Sequence, residues 1–308
     1  MKIGLMLPFG EQQHLGRPLS WAELRAMAVA AEEGGLDSVW GADHLIFRSD
    51  GSSRGIHECW TVLTAVAAVT HRVEIGPLVL ALPFRNPALV AKMAAALDEV
   101  SGGRLVLGLG CGWHEPEFDA FGFPFDHRVG RFEEGLAVLL PLLRSGRVAL
   151  DGRWHRADAE LLPAGPRPGG PPILIAGEKP RMLGLVARHA DAWNGAWYGR
   201  RESATELEER IAALHRACAV EGRDPATILL TAGLFVVFPA LVQPGQGDPP
   251  EDAIAGDAEE VGRALAAYRD LGIGHLIVHL WPRTAAAVSE LGRAAEVARA
   301  DVRIAAHG

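Results

Sequence analysis

Residues 101–118 read SGGRLVLGLGCGWHEPEF. A turn leads into an apolar run, then come the spaced glycines Gly108, Gly110 and Gly112, an aromatic, a histidine and two acids. The fold depends on whether these glycines open a dinucleotide-binding helix. That fingerprint is G-x-G-x-x-G at the start of a helix, with an acidic residue about 20 positions on. Here Trp113 stands where the third glycine should follow Gly108-x-Gly110, and Glu115 where it should follow Gly110-x-Gly112. Pro116 and the following FDAFGFPF argue against an immediate long helix. The glycines therefore end a strand in a different kind of α/β fold.

Outward from this stretch the chain alternates short apolar runs with alanine-rich amphipathic ones. On the N-terminal side the predicted strands are KIGLMLP (2–8), DSVWGADH (37–44) and RVEIGPLVLALP (72–83). Between them lie helices at 20–35, opened by the capping box Ser20/Glu23, at 57–70, and at 86–103 with Pro87 in its first turn. RLVLGLG (104–110) is the fourth strand, followed by a helix over 128–146. Strands at 171–177, 191–197, 227–238 and 275–281 follow, each succeeded by a helical stretch. Two segments interrupt the rhythm: 147–171, where Asp151-Gly152 signals a two-residue hairpin turn, and the Pro/Gly-rich 239–256. Apolar, non-alternating strands separated by helices make a parallel sheet buried on both faces. Eight such units predict a single-domain (β/α)8 TIM barrel over 1–308, with insertions after helix four and strand seven.

Composition limits the function. The formal net charge of −8 argues against a nucleic-acid partner, which needs a basic face. The three cysteines are scattered and odd in number, which suits a reducing cytoplasm. No apolar stretch approaches the ~20 residues of a membrane span. No metal motif is present, and Asp43-His44 are adjacent residues that leave a strand in opposite directions. The expectation is a cytoplasmic protein without metal, membrane or nucleic acid, acting on a small molecule.

Barrel enzymes carry their chemistry on the loops after the strands. Those positions are rich in glycine and aromatics, as a flat ring ligand requires: glycine admits it to the backbone and aromatics stack on it. At this point the chain resembles the bacterial luciferase-like family of flavin- and deazaflavin-dependent oxidoreductases, and most closely its coenzyme F420 branch. VWGADH, the run from IGPLVLALPFRNP through SGGR to GLGCGW, DHRVGRFEEGL and PPILIAGEKPRMLGLVARHADAWN carry the resemblance, in order, over 1–195.

The resemblance implies a homodimeric barrel that moves a hydride between F420 and a small organic substrate. The alternatives are an FMNH2-dependent monooxygenase using dioxygen on the same fold and, from another class, a non-catalytic ligand-binding barrel. It also implies a non-proline cis peptide at Leu78-Val79 backing the ring. Asp43, Gly110, Cys111 and Gly112 would lie against the cofactor, with its phosphate tail running toward Gly177-Glu178-Lys179. His44 would stand near the reacting carbon, where a near-neutral pKa suits proton transfer; the competing reading is a packed histidine. Relatives acting on sugar phosphates carry a glutamate at the position of Trp113, so Trp113 becomes a pocket wall. Glu115 is then the candidate acid or a solvated loop charge. Trp281, at the end of strand eight, is assigned to the substrate pocket.

Overall fold

A computed structural model describes residues 1–49, 51–246 and 248–305; residues 306–308 of the expected domain lie outside the described ones. The apolar runs form eight parallel staves: β1 Lys2–Leu7, β2 Ser38–Gly41, β3 Glu74–Pro77 continued by Leu80–Ala81, β4 Leu107–Gly110, β5 Ile173–Ala176, β6 Ala192–Tyr198, β7 Leu229–Val237 and β8 His275–Trp281. Pairing runs from β3 through β2, β1, β8, β7, β6 and β5 to β4. The ring closes through strand three. Its first piece pairs with β2 (Ser38 opposite Glu74), and its continuation pairs with β4 (Leu80 opposite Leu109).

The sequence reading treats 72–83 as one continuous strand, whereas the strand breaks at Leu78-Val79, a cis non-proline peptide at the position the resemblance implied. Met6, Trp40, Leu174, Ala192 and Ile277 fill the barrel, with Leu78 and Val79 packed against them. A larger cluster, running from Ile3 to Ala298, fills the layer between strands and helices. Strands buried on both faces have no polar side to show, which is why they read as unbroken apolar runs.

The helices are α1 Trp21–Glu33, α2 Cys59–Val69, α3 Pro87–Val100, α4 Glu115–Phe121, α5 Arg128–Ser145, α6 Pro180–His189, α7 Thr205–Val220, α8 Ala258–Ala266 and α9 Ala285–Ala305. The capping box of α1 forms as its sequence predicts. The short α4 does not appear in the sequence reading. The 147–171 insertion holds an antiparallel hairpin, Arg147–Asp151 against Arg156–Glu160, but Asp151 pairs with Arg156. The Gly152 N–H donates to the His155 carbonyl at 3.0 Å, so the hairpin turns around Arg153-Trp154, two residues beyond the expected Asp151-Gly152. The Glu134 carboxylate on α5 accepts from the N–H groups of Arg153 and Trp154 and holds the turn. The insertion after β7 adds Ile254–Ala255 beside that strand. A further hairpin, Phe47–Ser49 against Ser52–Arg54, follows β2 and overhangs the barrel mouth.

Candidate active site

A cavity of about 710 Å³ opens at the C-terminal ends of the strands, lined by seven of the staves and by Ala42, Asp43 and His44 just after β2. This volume suits an organic cofactor with part of a substrate.

One wall is built where strand three crosses strand four. A Cβ added at Gly108 would lie 2.1 Å from the Pro77 carbonyl oxygen, and one at Gly110 would lie 2.7 Å from Val79 Cγ2. The glycines of β4 therefore admit the bulging Leu78-Val79 segment, and Val79 presents the surface behind which they sit. Gly110 and Gly112, expected against the cofactor, line the cavity together with Val79. Gly112, at φ +72°, leaves room for the Phe118 ring of α4. Cys111 lines the cavity, and burial pushes its thiol pKa up, which keeps it protonated and suits packing over nucleophilic attack.

His44 leaves β2 with its ring half-buried and facing the cavity. Its Nδ1 lies 2.9 Å from Glu117 Oε1, and the Leu45 N–H donates to Glu117 Oε2 at 2.9 Å. Glu117 is 1% exposed. A carboxylate partner at Nδ1 favours the tautomer that carries its proton there, which turns the other ring nitrogen, Nε2, away from Glu117. Phe47 and Trp113 flank the imidazole, with centroids 4.3 and 5.7 Å away. Trp113 is 64% exposed, a rim residue standing edge-on to His44.

Glu115, the expected acid, is exposed and absent from the cavity lining. The carboxylate that reaches His44 is Glu117, two residues on. The reason is α4: residues two apart on a helix point roughly 200° apart, so only one of the pair faces inward.

Asp43 is buried beside this dyad, but its oxygens are already engaged. Oδ2 accepts from the Ala81 N–H at 2.9 Å and from Arg85 Nη1 at 2.7 Å, and Oδ1 accepts from Arg85 Nη2 at 2.9 Å. Arg85 also donates to Glu58 at 2.8 Å. Burial works against the guanidinium charge, and the Asp43 and then the Glu58 carboxylates outweigh it, so the Arg85 pKa stands above its usual value. Asp43 thus fixes the chain just past the cis peptide instead of offering its carboxylate to a cofactor.

Beyond β5, Gly177 lines the cavity, whereas Glu178 and Lys179 do not. Glu178 pairs with Arg210 at 2.7 Å and the Lys179 side chain is 83% exposed. What these residues offer is the backbone at the start of α6, where no side chain caps the helix. Such a terminus receives anions through its N–H groups and dipole.

Across the mouth, Trp197, Phe235 and His279 form an aromatic cluster with centroids 5.5–5.6 Å apart. Burial lowers the His279 pKa to about 3, so its ring is neutral. Trp281 is a correction: it lines a neighbouring cavity of about 300 Å³, under the Arg283 guanidinium, and not the main one. His279 takes the place assigned to it.

Known proteins share this architecture. A ketoreductase of phthiodiolone and phenolphthiodiolone dimycocerosates from Mycobacterium sp. (strain JLS) is 31% identical over 76% of this chain and 66% of its own length. An F420-dependent hydroxymycolic acid dehydrogenase from Mycobacterium tuberculosis (strain ATCC 25618 / H37Rv) is 31% identical over 70% of this chain and 58% of its own. The chain thus spans a little under two-thirds of the length of these curated relatives. Among solved structures, an F420-dependent secondary alcohol dehydrogenase holding an F420-acetone adduct superposes with a TM-score of 0.78 at 20% identity, over 97% of this chain and 99% of that one, a likeness of fold. The model of the luciferase-like monooxygenase family matches residues 1–240, and the chain belongs to that family.

Proposed function

We propose that the protein is an F420-dependent oxidoreductase that interconverts a secondary alcohol and its ketone, or a chemically similar pair. The observation that carries this reading is the His44–Glu117 dyad facing the cavity next to the Val79 wall. The names of the relatives above, an F420-dependent dehydrogenase and a ketoreductase, support it. The residues fit the cofactor. Val79 gives a flat backing, Cys111 is small and uncharged there, and the uncapped start of α6 beyond Gly177 suits a phosphate.

Bound there, a deazaflavin would supply the hydride acceptor or donor for a substrate carbon. An alcohol carbon yields hydride only as its hydroxyl loses a proton. Nε2 of His44 takes that proton, and buried Glu117 holds the opposite N–H and stabilises the imidazolium that forms. The Leu45 N–H fixes the second Glu117 oxygen, so the imidazole keeps one orientation. In the reverse direction the imidazolium protonates the carbonyl oxygen. Trp113 and Phe47 shield the imidazole, and the Trp197–Phe235–His279 cluster holds the apolar body of the substrate. The same reading takes the protein as a single-domain homodimer of the cytoplasm, for which the three free cysteines suit a reducing compartment.

The test is His44→Ala, assayed by bleaching of F420 with a panel of secondary alcohols. We expect kcat to fall by about 10²–10⁴-fold, the scale of a lost acid–base group, with cofactor affinity nearly unchanged. An unchanged kcat with a lowered melting temperature would make His44 a packing residue.

A further inference from the structure

Arg283 has no role in the reaction above. It follows β8 directly and lines both the main cavity and the smaller one beside it. Its guanidinium lies 4.4 Å from the centroid of the Trp281 ring, and Nη1 donates to Gln12 Oε1, a neutral amide, at 2.8 Å. Nε is buried without an acceptor among the described residues, as are Trp281 Nε1 and His279 Nδ1.

The neighbouring carboxylates are committed elsewhere. Glu11 accepts from the Gly55 N–H at 3.1 Å, and Glu23 holds Arg17 at 2.8 Å. With no carboxylate to offset burial, the Arg283 pKa falls to about 10. The contrast with Arg85 is direct, since that guanidinium is met by two carboxylates. A half-buried cation with no carboxylate to meet it is costly, and a guanidinium fork matches the two oxygens of a carboxylate or phosphate.

We propose that Arg283 determines substrate specificity by binding an oxyanion, carboxylate or phosphate monoester, carried by the molecule whose reacting carbon lies at His44. The proposal rests on the functional reading above, because it takes the main cavity to be the substrate's. The cofactor tail is a poorer occupant. Its anchor follows β5, and β6 and β7 separate that strand from β8.

The experiment is calorimetric titration of the protein, F420-loaded and cofactor-free, with benzoate, phenyl phosphate and neutral benzamide. We expect wild type to bind at least one anion about 10-fold or more tighter than benzamide, as a charge-assisted hydrogen-bond pair implies. Which anion wins identifies the oxyanion. Arg283→Met should abolish the preference and leave benzamide binding and F420 affinity unchanged. Arg283→Lys should keep part of the preference, and it carries the test should the methionine variant fold poorly. Equal binding of all three probes, no saturable anion binding, or a preference surviving in Arg283→Met would overturn the proposal. Loss of F420 affinity in Arg283→Met would make the cofactor tail the occupant and overturn it too. Failure of wild type to bind F420 at all would refute the functional reading while leaving the anion result standing.

Discussion

The two sides of the barrel mouth treat buried polar groups in opposite ways. At the ends of β2 and β4, the buried carboxylates Asp43 and Glu117 each hold two partners: Arg85 and the Ala81 N–H, and His44 and the Leu45 N–H. At the end of β8, His279 Nδ1, Trp281 Nε1 and Arg283 Nε have none among the described residues. A fully partnered network fixes geometry in advance, which chemistry common to every turnover needs. Unpartnered donors are completed by what arrives, so we assign the proton step to the first side and substrate choice to the second.

The largest expected effect falls on the partnered side: the loss of turnover in His44→Ala given above. Asp43→Ala comes next. It leaves Arg85 with only the half-buried Glu58, and we expect it to cost about 3–5 kcal/mol in denaturant unfolding, the usual loss when one member of a buried ion pair is removed. A loss within about 0.5 kcal/mol, as at an ordinary surface site, would mean that this network is not holding the mouth.

A smaller effect sharpens the other side. His275 and His279 are both lowered to about 3, in each case chiefly by burial, against about 6.5 for a free histidine. Because the folded values are depressed, the unfolded chain binds more protons below pH 6.5. The stability these rings contribute is therefore intact above that pH and is lost as pH falls toward 3. His279→Phe removes one of the two contributions and should shrink the stability difference between pH 7 and pH 5 by about 2 kcal/mol. An undiminished difference would show that His279 is protonated without penalty in the folded protein, and the β8 side would not be dry.

Much of this was legible in the residues. The eight apolar runs gave the staves because a parallel strand buried on both faces has to be apolar, and Ser20 with Glu23 gave the start of α1. The break at Leu78-Val79 came from resemblance alone; nothing in the apolar run EIGPLVLA distinguishes a bulge from a strand. Glu117 was missed because Pro116 and the aromatics after it read as loop, and a loop gives no rule for choosing between Glu115 and Glu117. Proline in the first turn of a helix was the available signal. The hairpin over the mouth was also signalled, by Asp50-Gly51 in the sequence. Arg283 could not be found from sequence, because its distinction is the carboxylate it lacks.

Titration of the purified protein with F420 and with FMN, followed by absorbance, tests the central claim most directly. The account predicts saturable F420 binding with FMN bound more weakly or not at all. Tight FMN binding accompanied by oxygen-dependent turnover would contradict it and make the protein a flavin-dependent monooxygenase.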